Sequence, residues 1–297
     1  MARSGEGRVR GVLPCYRTGS LFTGLHYTTL DGGALAETDA VRNTLTAAAK
    51  NLRNERGVRF VQIRGGRGDD HAPFQFTTVH TVVPTYDGPG AAWAAIKPKT
   101  RWGIRQAERQ ELEVALDAGL HGLQSFYGLY AAHMHELGTP VFGIRTLHAM
   151  HRHLGSDRMR LHLLKYRGRL VGGMLCIVHG NRWTDLYAIV RRAQAPEFAN
   201  YLLYWRVIRD AAENGVRELD LGRSMPGSNV HLFKRKWGGF DVDVPYLFYP
   251  AANRRNIKMG LLGENRAKGL PQKIWSRLPL SLCNALGPII RRDLPFL

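Results

Sequence analysis

Three short stretches carry the side chains best suited to chemistry. In the first, Lys99-Thr100-Arg101-Trp102-Gly103-Ile104-Arg105-Gln106-Ala107-Glu108-Arg109, arginine recurs every four residues. On a helix Arg101, Arg105 and Arg109 share one face, while Gly103, Ile104 and Ala107 point the other way. Like charges at that spacing cost ~0.2–0.5 kcal/mol per pair on an isolated helix, a cost that a bound anion relieves. The planar fork of arginine suits a diphosphate or a carboxylate, since it binds two oxygens at once. The competing reading is a solvated face whose charges pair with Glu108 and Glu111.

The second stretch is Glu218-Leu219-Asp220-Leu221-Gly222-Arg223-Ser224, a strand running into a glycine turn. Polar groups at the carboxyl end of a strand face a ligand when the sheet splays there. Asp220 and Arg223 can equally form a structural ion pair. The third stretch is His231-Leu232-Phe233-Lys234-Arg235-Lys236-Trp237-Gly238. Phe233 and Trp237, four apart, would anchor a short helix and turn Lys234 toward the cleft. A cation there would stabilise the oxyanion of an acyl transfer or hold a donor phosphate. The alternative is plain basic surface.

Composition bounds the partners. Forty-two Lys and Arg stand against 24 Asp and Glu, a net charge of +18, and such a surface attracts phosphate-rich molecules or anionic lipid. An arginine-rich proteome would give the same excess. Cys15, Cys176 and Cys283 form no Cys-x-x-Cys pair and fit a reducing compartment. His133 and His135, like His151 and His153, are two apart and diverge on a helix, so no metal site is expected. No serine sits in a nucleophile-elbow sequence, and no apolar run is long enough to span a bilayer.

The elements that must position these groups follow from periodicity and turn residues. Strands are expected at 9–15, 21–28, 58–63 (half-buried) and 74–83, with a helix at 36–56 closed by Gly57. A helical stretch from Ala91 is interrupted by Pro98. A strand at 111–116 precedes an amphipathic helix with Leu123, Phe126, Tyr130, His133 and Leu137 on one stripe, and a second helix at 145–154. A meander at 159–166, 170–179 and 182–190 turns at Arg167-Gly168 and Gly180-Asn181. A buried helix at 199–214 and strands at 216–221 and 242–248 complete the order. The fold class is thus α/β with a mixed sheet, in two lobes of which the first is incomplete: 1–90, 91–250, and a basic extension at 251–297.

The three stretches in series resemble the FemAB-like family of the GNAT superfamily, most closely its exosortase-associated members. That family is marked by Lys-x-Arg-x-x-Ile-Arg-x-Ala, then Asp-Leu-Gly-Arg-Ser, then Phe-Lys-x-x-Trp-Gly, and all three stand here in order. The Asn200-Tyr201-Leu202-Leu203-Tyr204-Trp205 helix between them also matches. The resemblance implies tandem GNAT-like (acyl-CoA N-acyltransferase) lobes and transfer of an acyl or aminoacyl group to an amine. It implies Lys234 and Asp220 as catalytic groups, and Lys99, Arg101, Arg105, Tyr187, Asn200 and Arg223 as substrate-binding groups. Gln106 replaces the family's usual lysine, and Arg109-Gln110-Glu111 replaces its Lys-x-Gly.

The donor would be acyl-CoA or aminoacyl-tRNA, with no bound cofactor. Between Arg191 and Glu197 no glycine is present to cradle a CoA pyrophosphate, so CoA is not the obvious donor, and the charge also suits aminoacyl-tRNA. The acceptor would be an envelope precursor or amino-sugar, reached from the cytoplasm or from the inner face of the membrane by peripheral contact. A catalytically inactive basic binding module and an RNA-binding protein are the rival readings.

Overall fold

The computed structural model of the chain describes residues 1–3, 5, 7–20, 24–65, 72–251 and 270–292. They fall into two units, Met1–Val79 with Asp243–Ala267 and Ile290–Leu297, and His80–Val242 with Lys268–Ile289.

In the first unit, strands β1 (Ala2–Arg3), β2 (Val9–Val12), β3 (Cys15–Ser20), β4 (Gly24–Thr29) and β5 (Leu35–Ala36) precede helix α1 (Asp39–Asn51) and strand β6 (Phe60–Arg64). Two strands were expected across residues 9–28, with Thr18-Gly19 as the turn between them. Instead Thr18 and Gly19 lie inside the β3–β4 ladder, opposite His26 and Leu25. Gly19 marks a close backbone approach, since a Cβ there would come within 2.9 Å of the Gly24 carbonyl. Residues 21–23, where the second strand was expected to begin, and residues 66–71 lie outside the described residues.

Helix α1 starts later than residue 36 because Leu35–Ala36 pair with β2 and the Thr38 hydroxyl caps the Val41 N–H. Strand β6 is buried at every position rather than alternately. Val61 and Ile63 pack on Ala49, while Phe60 joins Tyr246 and Phe248, so both faces are covered.

Strand β7 (Phe74–Pro84) leads into the second unit, where the described chain continues as α2 (Gly88–Ala95), α3 (Pro98–Glu108), β8 (Leu112–Leu116), α4 (Leu120–Glu136) and α5 (Ile144–Leu154). The meander follows as β9 (Met159–Tyr166), β10 (Arg169–His179) and β11 (Arg182–Val190). Next come α6 (Ala199–Glu213), β12 (Glu218–Ser224), α7 (Asn229–Lys234), β13 (Phe240–Pro250), α8 (Leu270–Trp275) and α9 (Leu280–Arg292). Strand order in this unit is β7-β12-β11-β10-β9-β8, mixed in direction, because β11 and β12 run parallel and the meander antiparallel. This is the expected mixed α/β class.

Each face of that sheet has its own core. One is built on Ile104, Ala107, Leu203, Val207 and Trp237 against Met174 and Cys176. The other sets Leu123, Phe126 and Leu147 against Leu161 and Leu175. Leu137 leaves the expected stripe: it caps α4 and is 44% exposed, because the helix ends at Glu136.

Candidate active site

The parallel ladder of β11 and β12 has only three rungs, Arg182 with Glu218, Trp183 with Leu219, and Thr184 with Asp220. Both strands continue, to Val190 and to Ser224, so they splay into a fork beyond Thr184 and Asp220.

Asp220 stands at the last rung and is buried. Its Oδ2 lies 2.9 Å from His80 Nδ1 and accepts from Arg182 Nη2 at 3.0 Å, while Oδ1 accepts the Gly222 N–H at 2.8 Å. Burial works against its charge, but His80, Gly222 and Arg182 outweigh that and hold the carboxyl below its ordinary range. Arg223 is not its ion-pair partner; Arg182 takes that place at 3.0 Å. The strand does not end at Gly222 as its sequence suggested. It passes through Gly222 with φ +74°, and a Cβ there would come within 3.0 Å of the Asp185 carbonyl.

Lys234 is buried at the end of α7, a helix capped by the Ser228 hydroxyl. Its Nζ donates to the carbonyls of Gly222 and Arg223, both at 2.9 Å. The anchoring expected of Phe233 and Trp237 is present: Trp237 stacks on Tyr204 with centroids 5.5 Å apart, and Phe233 meets Tyr204 edge-on at 4.9 Å. Lys236 turns elsewhere, its Nζ donating to the Tyr201 hydroxyl at 3.2 Å.

A group that sequence reasoning missed sits one residue past the last rung. Asp185 Oδ1 is buried with no hydrogen-bond partner among the described residues, as are Ser224 Oγ on β12 and Trp237 Nε1 after α7. Burial pushes the Asp185 carboxyl up to about 7; the Lys234 charge pulls it down and the Asp220 charge raises it. Its place depends on a β-bulge, since Leu175 faces Tyr187 while the next residue, Cys176, faces Asp185. Leu186 is thereby the extra residue, and both it and Tyr187 join the α4–α5 core. Tyr187 therefore packs on Tyr130 and Phe142, at 4.9 and 5.3 Å, and Asp185 lies with Cys176, Tyr204 and Lys234 on the α6 side.

The basic helix α3 packs against α6. A Cβ on Gly103 would meet the rings of Phe198 and Tyr201 at 3.1 Å, so glycine permits this contact. Lys99 and Arg105 are exposed and Arg101 half-buried. Arg105 lies over the Trp93 ring, 5.7 Å from its centroid. Glu111, a candidate partner for these arginines, is instead bound by Arg167 at 2.8 Å. Asn200 stands in the first turn of α6, behind Phe198 in the left-handed region at φ +65°. The structure thus gathers Asp220, Lys234 and the Arg223 backbone at the fork, sets Lys99, Arg101 and Arg105 on α3 beside the helix of Asn200, and turns Tyr187 to the opposite face.

Among the described residues no group of three or more His, Cys, Asp or Glu side chains could hold a metal ion. Nor is any helix long and apolar enough to cross a membrane.

Residues 97–235 match the family model for the acetyltransferase (GNAT) domain. The fold is shared with FemX, at 12% identity and TM-score 0.55 over 81% of this chain and 89% of that one. It is shared equally with L-PGS from Bacillus licheniformis, at 13% identity and TM-score 0.55 over 99% and 89% of the two chains. A third likeness is the C-terminal DUF2156 domain of a protein assigned as a lysylphosphatidylglycerol synthetase from Agrobacterium fabrum, at 11% identity and TM-score 0.55 over 86% and 85%. No curated protein matches the sequence. The FemAB-like resemblance of the three motifs agrees with this fold.

Proposed function

We propose that this protein is an N-acyltransferase that moves an acyl or aminoacyl group from an anionic donor onto an amine, with Asp185 as the proton acceptor. The observation that carries this reading is Asp185 itself. Its Oδ1 is buried with no hydrogen-bond partner among the described residues at the opening of the fork, and its carboxyl is poised near 7, where a base works best at neutral pH.

In the proposed step an unprotonated amine attacks the carbonyl carbon of the bound ester or thioester. The C–N bond forms, the C–O or C–S bond breaks, and the amine proton passes to Asp185 and on to the leaving oxygen or sulfur. Lys234 places a positive charge beside this centre and holds β12 open through the Gly222 and Arg223 carbonyls. Asp220, ionised and held by three donors, orients this end of the strand. Lys99, Arg101 and Arg105 would take the phosphates or carboxylates of the substrates, with Asn200 and Arg223 nearer the fork.

Aminoacyl-tRNA is the donor this reading favours over acyl-CoA, on the net charge of +18 and the glycine-free connection after β11. Both FemX and the lysylphosphatidylglycerol synthetase domain share the fold. An envelope precursor or amino-sugar amine, reached in the cytoplasm or at the inner membrane face, is the proposed acceptor. The test is to incubate purified protein with aminoacyl-tRNA, and separately with acetyl-CoA, in the presence of amino-sugar or peptide amines. Transfer from the tRNA donor that is lost in Asp185→Asn supports the reading. Transfer unaffected by that variant overturns the role of Asp185, and no transfer with either donor favours the inactive binding module.

A further inference from the structure

The basic C-terminal stretch has no part in the proposed chemistry, yet it holds a helix with one edge fixed and another bare. On the fixed edge Cys283 is buried, its thiol directed at the Trp275 carbonyl at 3.5 Å. Gly287 approaches so closely that a Cβ there would come within 3.0 Å of the Val141 carbonyl. His135 Nε2 lies 2.8 Å from the Leu278 carbonyl and ties the start of α9 to α4. Helix geometry then aims Leu282, Leu286 and Ile289, at i, i+4 and i+7, along a different face. They are 42%, 39% and 63% exposed, and Ile274 on α8 is 51% exposed.

Residues 270–292 contain Lys273, Arg277, Arg291 and Arg292 and no acidic residue. Apolar side chains beside clustered cations suit an anionic bilayer surface, where the former enter the acyl boundary and the latter meet headgroup phosphates. A second copy of this chain would oppose like charge to like across the same face, at a net +18 per chain.

We propose that the face of α9 bearing Leu282, Leu286 and Ile289 docks the protein on an anionic membrane surface. This deepens the envelope-acceptor reading and rests on it for its purpose. The docking itself is measured without donor or acceptor, so its failure leaves the transfer chemistry standing.

The test is co-sedimentation of the full chain with vesicles of mixed phosphatidylglycerol and phosphatidylcholine, and with phosphatidylcholine alone. The chain should bind the mixed vesicles, and Leu282→Glu/Leu286→Glu/Ile289→Glu should bind them about tenfold or more weakly, as expected when buried apolar area is lost. Lys273→Glu/Arg277→Glu should weaken binding at low salt and flatten its salt dependence. If the triple variant misfolds by circular dichroism, Ile289→Gln, at the most exposed of the three positions, serves the same purpose. Equal binding by wild type and apolar-face variants, equal binding to both vesicle types, or none to either overturns the proposal. A wild-type dimer that the triple variant turns into monomers, with no vesicle binding, would show that a second copy covers this face.

Discussion

Asp185 and Asp220 stand on neighbouring strands, one at the last rung of the ladder and the other one residue past it, yet their carboxyls sit at opposite ends of the range. Asp220 is held low by His80, Gly222 and Arg182 against the effect of burial, while burial raises Asp185 to about 7. Paired carboxyls pushed apart in this way divide the labour between a fixed anion and a proton carrier.

Asp185→Asn should lower turnover by ~10²–10⁴. In wild type kcat/KM should rise with pH to a midpoint near 7, and the variant should lack that limb. The stability sign runs the other way. The folded chain keeps a proton that the unfolded chain releases near the ordinary value of 3.8, so wild type loses stability as pH rises from there to about 7. The variant should therefore show the higher Tm at pH 8, and no difference well below pH 4, in thermal scans across pH.

Lys234→Ala should cut turnover by ~10²–10³ if its charge acts on the reacting carbonyl. Folding is affected as well, because two half-buried carbonyls lose their donor, at up to roughly 1–3 kcal/mol for each group left unsatisfied. Lys234→Met separates the effects: with the cation gone and most of the volume kept, the midpoint of the Asp185 limb should move upward. Lys236→Ala loses contacts to Tyr201 and to the Phe233 ring, and should change neither rate nor midpoint appreciably.

Arg101→Ala and Arg105→Ala should raise KM for an anionic substrate and leave kcat nearly unchanged, since neither residue contacts the fork in this arrangement. The effect should shrink as salt is added, which initial rates at two ionic strengths will show. An unchanged KM would assign these arginines to plain solvation.

Gly222→Ala forces a side chain onto a φ of +74° and into the Asp185 carbonyl. A cost of about 1–3 kcal/mol in urea unfolding is expected, with activity lost at the same time. Asp220→Asn should flatten the acid limb of stability instead. Wild type holds that contribution above the ordinary carboxylate range and loses it as pH falls through the lowered value.

Much of this was legible in the sequence. Arg167-Gly168 and Gly180-Asn181 gave the meander to within a residue, because turn chemistry and hydrophobic runs agree there. The Asp220–Ser224 and Phe233–Gly238 stretches could be recognised as one site, though not how they join. Asp185 was not legible, for two physical reasons. Its companions Cys176, Tyr204 and Lys234 come from three other elements, and Leu186-Tyr187-Ala188-Ile189 is apolar at every position, so no alternation betrays the bulge that aims it. An acid standing directly before an apolar run was the available signal. In the first unit Thr18-Gly19 misled, because glycine serves close backbone packing as readily as a turn.

The lysine at the fork also solves a problem of exposed edges. Where two strands part, their inner carbonyls and N–H groups lose their partners and become a template for any passing extended chain. Consecutive carbonyls on a regular strand point to opposite sides, but the left-handed turn at Gly222 lets those of Gly222 and Arg223 converge on one ammonium. A single side chain thus stands in for a missing strand. The rim of the opening thereby offers little for a foreign peptide to zip onto.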